Sequence, residues 1–428
     1  MPSPSIPTIV IRTEPHGPIQ PLNVDLEYVP NFLREKADCS AVIATSSIFG
    51  WKDLCIPCIC LYVDAEEAAT ECLAGLAACQ ELPTIIWKGK LKDTATVMDT
   101  ASELVAPPSL DRLEISARKS DLRKNPVVRA IEDVGPFMHG QSISLIGQET
   151  KGSVSVFLSS DEDEDEVWAL TAYHVVPLST NETRVITPGG LDVLTRLLHL
   201  GAKATHEADI SFLLDRWEIP CGYVQYEHIG TNSNGWRSDW ALIRLDERWR
   251  GINGEWMYNE MVDFYARTTR NLIPFSKGIV DCSDPEAGQI CYKDGAYSGC
   301  TVGIVAPSRV MLFKKGAAEA ATEEEKDSNP ENVDESEMFA VHPVRDDSGS
   351  GVFVPPLPVV HSGDSGSGAF VPVPEKDGWN WAGQFVSIFY ELKGSENIGL
   401  MVPQSQIFSS LEEVTGKSWK LAVKKVTV

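Results

Sequence analysis

The sequence predicts a mainly β chain, with a β-barrel or sandwich from Gln141 onward and a small mixed α/β domain before it. From Gln141, short strand-like runs alternate with Gly, Pro, Asn and Asp turns, the pattern of an antiparallel barrel or sandwich. The earlier part places β-branched and apolar runs on either side of an Ala-rich segment with helical spacing. Between the two lies a polar stretch, residues 101–130, with Pro107-Pro108 and a basic run from Arg118 to Arg129. It reads as a helical or irregular linker, so the domains are expected at 1–125 (with linker) and 136–428.

Thr8-Ile9-Val10-Ile11 and Ser40-Ala41-Val42-Ile43-Ala44 are strand-like, and so is Cys58-Ile59-Cys60-Leu61-Tyr62-Val63. Asp64-Ala65-Glu66-Glu67 then offers first-turn acids to a helix over Ala68 to Cys79, with Leu73, Leu76 and Ala77 on helical spacing. Pro83-Thr84-Ile85-Ile86-Trp87 returns to strand. In the second half, Ser153–Leu158 and Val167–Ala172 flank the acidic run Ser159–Glu166, which reads as a solvated hairpin tip. A calcium site there would need a glycine where an EF-hand loop turns, and none is present. A second acidic segment, Ala317 to Glu337, has almost nothing to bury and reads as a mobile loop.

Composition excludes several classes. The chain has 428 residues and 37 Lys+Arg against 61 Asp+Glu, a net charge of −24. Phosphate neutralisation needs clustered Lys and Arg, so neither duplex DNA nor RNA is expected as a partner. The same negative field disfavours anionic membrane surfaces. No apolar run reaches the ~18 residues that a spanning helix needs. Met1-Pro2-Ser3-Pro4-Ser5-Ile6-Pro7 has neither the basic nor the apolar region of a secretory signal. With 10 cysteines in the whole length, free thiols in a reducing, cytoplasmic compartment are expected.

Three stretches carry chemistry. Ala169-Leu170-Thr171-Ala172-Tyr173-His174-Val175-Val176 ends an apolar strand on a histidine. Ser238-Asp239-Trp240-Ala241-Leu242-Ile243-Arg244-Leu245 opens a strand with an aspartate. His361-Ser362-Gly363-Asp364-Ser365-Gly366-Ser367-Gly368 sets a serine on a glycine turn. A serine hydroxyl is a weak nucleophile until a base takes its proton. Histidine can take that proton and return it near neutral pH. A carboxylate on the other ring nitrogen fixes the tautomer, and glycines let backbone N–H groups face a forming oxyanion.

The order His174…Asp239…Ser365, with Thr-Ala-x-His and Gly-Asp-Ser-Gly, resembles the trypsin/chymotrypsin-like serine peptidases. Lys293-Asp294-Gly295-Ala296-Tyr297-Ser298-Gly299-Cys300-Thr301-Val302-Gly303 looks like the K-x-G-x-x-[TS]-G-x-T-x-G strand pair that opens the second barrel in intracellular members of that group. The resemblance covers roughly residues 136–410 and says nothing about the first 125 or so. It implies two six-stranded antiparallel β-barrels with the triad in the cleft between them. It further implies His174 as general base and acid, Asp239 as its orienting acid and Ser365 as nucleophile, with the N–H groups of Gly363 and Ser365 as oxyanion hole. Asp209, in Glu207-Ala208-Asp209-Ile210, is the alternative acid: it also precedes a strand-like run, 35 residues beyond His174 against 65 for Asp239. Asp239 is preferred for its approach, a strand at Gly222-Tyr223-Val224 and a hairpin over Thr231–Gly235.

By the same resemblance, Val359 lies at the floor of the substrate pocket, Ser387 and Phe389 on one wall and Gly399 on the other. An apolar floor and a bulky Phe389 imply a small or medium apolar residue before the cleaved bond. Secreted relatives pair the acid before the nucleophile, here Asp364, with a newly cut apolar amino terminus. No Ile-Val-Gly-Gly-like site is visible, so the chain is expected to be self-sufficient in activation or governed by its first domain. No metal or organic cofactor is implied.

Other residues receive blander readings. Cys55-Ile56-Pro57-Cys58 is a C-x-x-C without a second ligand pair and reads as apolar core. His361 reads as incidental to the turn, and His199, His206 and His228 lack ligand spacing. Trp217, Trp236, Trp240, Trp249 and Trp256 read as packing residues. Two functional expectations follow. One is a serine endopeptidase, regulated by its N-terminal domain or by a partner bound there. The other is a catalytically silent protease-fold module that binds peptides or proteins.

Overall fold

In a computed structural model of the full chain, the described residues are 41–51, 54–63, 84–93, 139–148, 150–178, 183–187, 189, 220–250, 278–315, 333–343, 359–361, 363–391 and 397–422. The strand-like run Thr8–Ile11, the Ala-rich segment 68–79, the linker, Asp209, His199, His206, Trp217 and Trp256 lie outside them.

Three strands come from the N-terminal part: β1 (Ala41–Trp51), β2 (Leu54–Val63) and β3 (Thr84–Asp93). The next group is β4 (Ser142–Leu145), β5 (Gly152–Ser153), β6 (Phe157–Ser160), β7 (Trp168–Thr171), β8 (Arg184–Ile186), β9 (Gly222–Thr231) and β10 (Arg237–Leu245). The last comprises β11 (Ile279–Cys282), β12 (Ile290–Gly295), β13 (Gly299–Lys315), β14 (Val333–Pro343), β15 (Gly368–Val373), β16 (Gly378–Glu391), β17 (Asn397–Pro403) and β18 (Trp419–Leu421). One α-helix is found among the described residues, α1 (Gln404–Thr415).

Two rings of strands result. In the second, β12 pairs with β13, β13 with β14, β14 with β17, β17 with β16, β16 with β15, and β15 with β12. All six pairings are antiparallel, so the barrel closes without an edge in this ring. In the first, β4–β8–β9–β10–β7–β6 is a continuous antiparallel path. Backbone bonds from the β5–β6 stretch close it, with Val154 N–H donating to Gln141 O (3.0 Å) and Ser155 N–H to Leu170 O (2.8 Å). The described chain is thus a double β-barrel, as the resemblance implied.

Strand period explains why the shared walls look apolar on both sides. Alternate residues of a strand face opposite ways. In β10, Ala241 and Ile243 join the cluster inside the first barrel, with Ile143, Phe157 and Val185. Trp240 and Leu242 join the cluster between the barrels, with Tyr292, Phe370, Trp379 and Trp381. β7 divides likewise, Ala169 inward and Trp168 and Leu170 toward the other barrel. Each such large side chain removed from water stabilises by about 1.5–3 kcal/mol. Trp236, Trp240 and Trp249 are all buried, as packing residues should be.

The strands of the N-terminal part join the second barrel. β1 pairs with Val310–Phe313 of β13, β2 bridges β1 and β3, and β3 pairs with Ser387–Glu391 of β16. Cys55, Cys58 and Cys60 belong to β2, whose side chains are outside the described set. Cys221, Cys282, Cys291 and Cys300 are not in disulfides. The acidic tip at Asp161–Asp165 is exposed, and its carboxylates meet Lys417 and Lys420 at the end of the chain's helix–strand connection. The second acidic segment differs from expectation at its end. Val333–Glu337 belongs to β14, where Asp334 sits opposite Lys314 and Val333 opposite Lys315.

Candidate active site

Each of the three candidate side chains sits where a strand ends or a turn begins. His174 lies in a one-turn 3-10 helix, Tyr173–Val175, immediately after β7. Asp239 lies near the start of β10, whose outer neighbours are fastened to α1: the Ser238 and Ser410 hydroxyls are 2.7 Å apart, and Trp240 Nε1–H donates to Ser410 Oγ at 2.8 Å. Ser365 is held in the turn between Gly363 (φ 95°) and Gly366 (φ 81°), a left-handed backbone that glycine adopts without strain. A Cβ on Gly366 would stand 2.4 Å from Thr171 Oγ1 and 2.5 Å from Ser153 O, so the turn is seated against the strand that presents His174.

The structure brings all three together. His174 Nδ1 lies 2.7 Å from Asp239 Oδ2, and His174 Nε2 is hydrogen-bonded to Ser365 Oγ. Because the carboxylate only accepts, Nδ1 carries the proton and Nε2 is left to accept from the serine hydroxyl. Asp239 and Ser365 are buried, and the His174 side chain is 12% exposed. Asp239 Oδ1 has no hydrogen-bond partner among the described residues, and Arg237 approaches Oδ2 at 3.9 Å.

The nucleophile turn is braced from beneath. Ser153 N–H donates to Ser365 O at 2.7 Å, Thr171 Oγ1 donates to Ser153 O at 2.8 Å, and Ala296 N–H donates to Ser153 Oγ at 2.9 Å. Gly366 N–H donates to Phe385 O (2.9 Å) and Phe385 N–H to Ser367 O (3.0 Å), tying the turn to β16. No acceptor among the described residues takes the N–H of Gly363 or Ser365.

Asp364 points away from the triad into a cage. Its carboxylate receives Lys293 Nζ at 2.9 Å, Ser298 Oγ at 2.6 Å and the backbone N–H groups of Tyr297, Ser298 and His361 at 2.9, 3.0 and 2.9 Å. Lys293 and Asp364 are both 0% exposed. Burial alone would raise the Asp364 pKa, but the Lys293 ammonium and the Ser298 bonds outweigh it and hold the carboxyl below its usual value. Gly295 is required here, since a Cβ would lie 2.4 Å from Asp364 Oδ1. The spacing of Lys293, Gly295 and Ser298 in the sequence is thus the spacing of a cation, a gap and a hydroxyl around one carboxylate. The motif and the acid before the nucleophile are each legible in the sequence, but nothing in the sequence joins the two. Ser153 opens a strand-like run, but nothing in the sequence marks it as support for the nucleophile turn. His361 stacks obliquely on Tyr297 at 5.4 Å, and burial lowers its pKa.

The expected pocket residues divide. Val359 is buried with Val360, Phe385 and Met401, and its carbonyl accepts from Thr301 Oγ1 at 2.5 Å. Ser387 is buried in β16. A Cβ on Gly399 would meet the Phe385 ring at 2.8 Å and Val360 at 2.8 Å, so those two side chains fill the space beside it. Phe389 is in β16, but its side chain is outside the described set.

Fold and site define a trypsin-like double barrel with a Ser-His-Asp constellation on the strand ends of its first barrel and the loop of its second. No family model matches the sequence, and no curated protein sequence matches it. The solved structures that it resembles are serine proteases. Protease A of Thermobifida fusca shares 12% identity over 67% of this chain and 100% of its own, with a TM-score of 0.35. Nocardiopsis protease shares 10% over 67% and 99%, with a TM-score of 0.36. Cellulomonas bogoriensis chymotrypsin shares 10% over 67% and 99%, with a TM-score of 0.32. Likenesses this distant add nothing to the chemistry, which rests on the hydrogen bonds above.

Proposed function

We propose that the chain is a serine endopeptidase that works through an acyl-enzyme on Ser365. The observation that carries this reading is the unbroken line Asp239 Oδ2–His174 Nδ1, His174 Nε2–Ser365 Oγ. His174 takes the hydroxyl proton as Ser365 Oγ attacks the substrate carbonyl, and Asp239 stabilises the imidazolium that forms. The N–H groups of Gly363 and Ser365 receive the negative oxygen. Collapse of the tetrahedral intermediate passes the His174 proton to the leaving amine. Water, deprotonated by the same histidine, then releases the acyl group. Lys293 substitutes for the cut amino terminus of secreted relatives by holding Asp364, so no cleavage is needed to shape the oxyanion turn. The filled space beside Gly399 supports preference for a small or medium apolar residue before the cleaved bond. No helix among the described residues is long and apolar enough to cross a membrane. The described cysteines are not in disulfides, which supports action in a reducing, cytoplasmic compartment.

The test is digestion of a proteome-derived peptide library by the native chain and by Ser365→Ala. New amino termini that appear only with the native chain support the reading and report its preference. Identical, undigested libraries in both cases, together with no fluorophosphonate adduct on Ser365 of the native chain, contradict it and favour a peptide-binding module.

A further inference from the structure

The edge of β16 that faces the nucleophile is already occupied beyond the turn. A strand has two edges. Along one, β16 pairs with β17 over Gly383–Tyr390. Along the other it carries β15 from Gly378 to Gln384, then the nucleophile turn at Phe385, then β3 from Ser387 to Glu391. β3 runs antiparallel, with Asp93 opposite Ser387, Leu91 opposite Phe389 and Gly89 opposite Glu391. Its carboxyl end therefore stops beside the turn that holds Ser365.

An extended peptide bound for Ser365 needs this same edge. Peptides commonly dock on sheets by adding a strand, with main-chain hydrogen bonds giving the affinity. Among the described residues, the stretch of β16 just past Phe385 offers such an edge next to the nucleophile, and β17 already covers the opposite side. We infer that Gly89–Asp93 occupies, within the same chain, the strand position that a peptide substrate must take, so that peptides reach Ser365 only when β3 leaves. The inference rests on the reading of Ser365 as nucleophile. β3 is well suited to be displaced there. Thr84–Lys88 is anchored to β2, whereas Gly89–Asp93 has β16 as its sole strand partner among the described residues. The segment also carries Lys90 and Lys92 in a chain of net charge −24, so it is drawn to the body of its own protein.

Two measurements on the full chain test this. Hydrogen exchange of the native protein should show slow-exchanging amides within Gly89–Asp93, since only β16 can protect them. Exchange throughout that segment at the rate of an unstructured chain overturns the placement. The second measurement uses Leu91→Pro/Lys92→Pro. Successive N–H groups point to opposite edges, so adjacent prolines remove a cross-strand donor whichever residue supplies it. Peptide-amide turnover should rise about tenfold or more as the fraction of open sites rises, while the labelling rate of a small fluorophosphonate, which needs no strand edge, stays within about twofold. Equal peptide turnover by both proteins, with equal labelling, overturns the inference. Absence of labelling in both strikes at the nucleophile reading instead, and the exchange result still decides where β3 lies.

Discussion

Lys293 and Asp364 form an ion pair of 2.9 Å with neither side chain exposed, and Asp364 is the residue directly before Ser365. The pair links the β12–β13 hairpin to the nucleophile turn. Removing one partner leaves a buried, uncompensated charge, which costs about 3–5 kcal/mol. Lys293→Met should therefore lower the thermal midpoint clearly and reduce acylation of Ser365 with it. Lys293→Met/Asp364→Asn should regain part of the stability, and a double-mutant cycle by denaturant unfolding measures the coupling. Strict additivity of the two changes contradicts the role given to the pair.

Asp239→Asn keeps the shape of the site but offers His174 Nδ1 a group that can donate. The imidazole then favours the tautomer with its proton on Nε2, where it cannot accept from Ser365. A fall of about 10⁴-fold in kcat is expected, with little change in unfolding midpoint. Steady-state kinetics alongside calorimetry checks both. A loss below about tenfold would show that the carboxylate does not govern the base.

Gly366→Ala places a methyl against Thr171 Oγ1 and the Ser153 carbonyl at a φ of 81°. Both the left-handed strain and the clash act on the seat of the nucleophile turn. The variant should lose about 1–3 kcal/mol and label slowly at Ser365. Gly147, also at positive φ (76°) but with open space around it, should tolerate Ala at a smaller cost, and comparing the two unfolding curves isolates the clash.

His139 predicts an acid-sensitive step in stability. Its Nδ1 lies 2.9 Å from Ser155 O, and its ring packs on Phe157 and Phe370 at 5.2 and 5.9 Å. Burial lowers its pKa from 6.5 to about 4, against the smaller raising effect of the Ser155 carbonyl. The unfolded chain therefore binds the proton first as pH falls, so folding stability declines between about pH 6.5 and pH 4. The contribution lost is about 3 kcal/mol at about 1.4 kcal/mol per unit. His139→Gln should flatten that part of a stability–pH curve. An unchanged slope in the variant assigns the effect elsewhere.

A barrel or sandwich was legible because short strands alternate with turn residues from Gln141 onward, and the double barrel followed from the resemblance that the three motifs carry. His174, Asp239 and Ser365 could be chosen from sequence since each closes or opens such a strand or turn. The support around them could not. Ser153 contributes its backbone and hydroxyl to three neighbours, yet a serine in a short strand has no distinguishing pattern. Lys293 was visible in its motif, but its partner lies 71 residues away, and only folding shows that the two meet. The register of β3 on β16 was likewise out of reach, because periodicity gives a strand its faces and never its neighbour.

The most direct measurement is labelling with a fluorophosphonate followed by peptide mapping, on the native chain, Ser365→Ala and His174→Ala. The account predicts one covalent adduct, located on Ser365, in the native chain and essentially none in either variant. An adduct on another residue, or none on the natively folded protein near neutral pH, contradicts it.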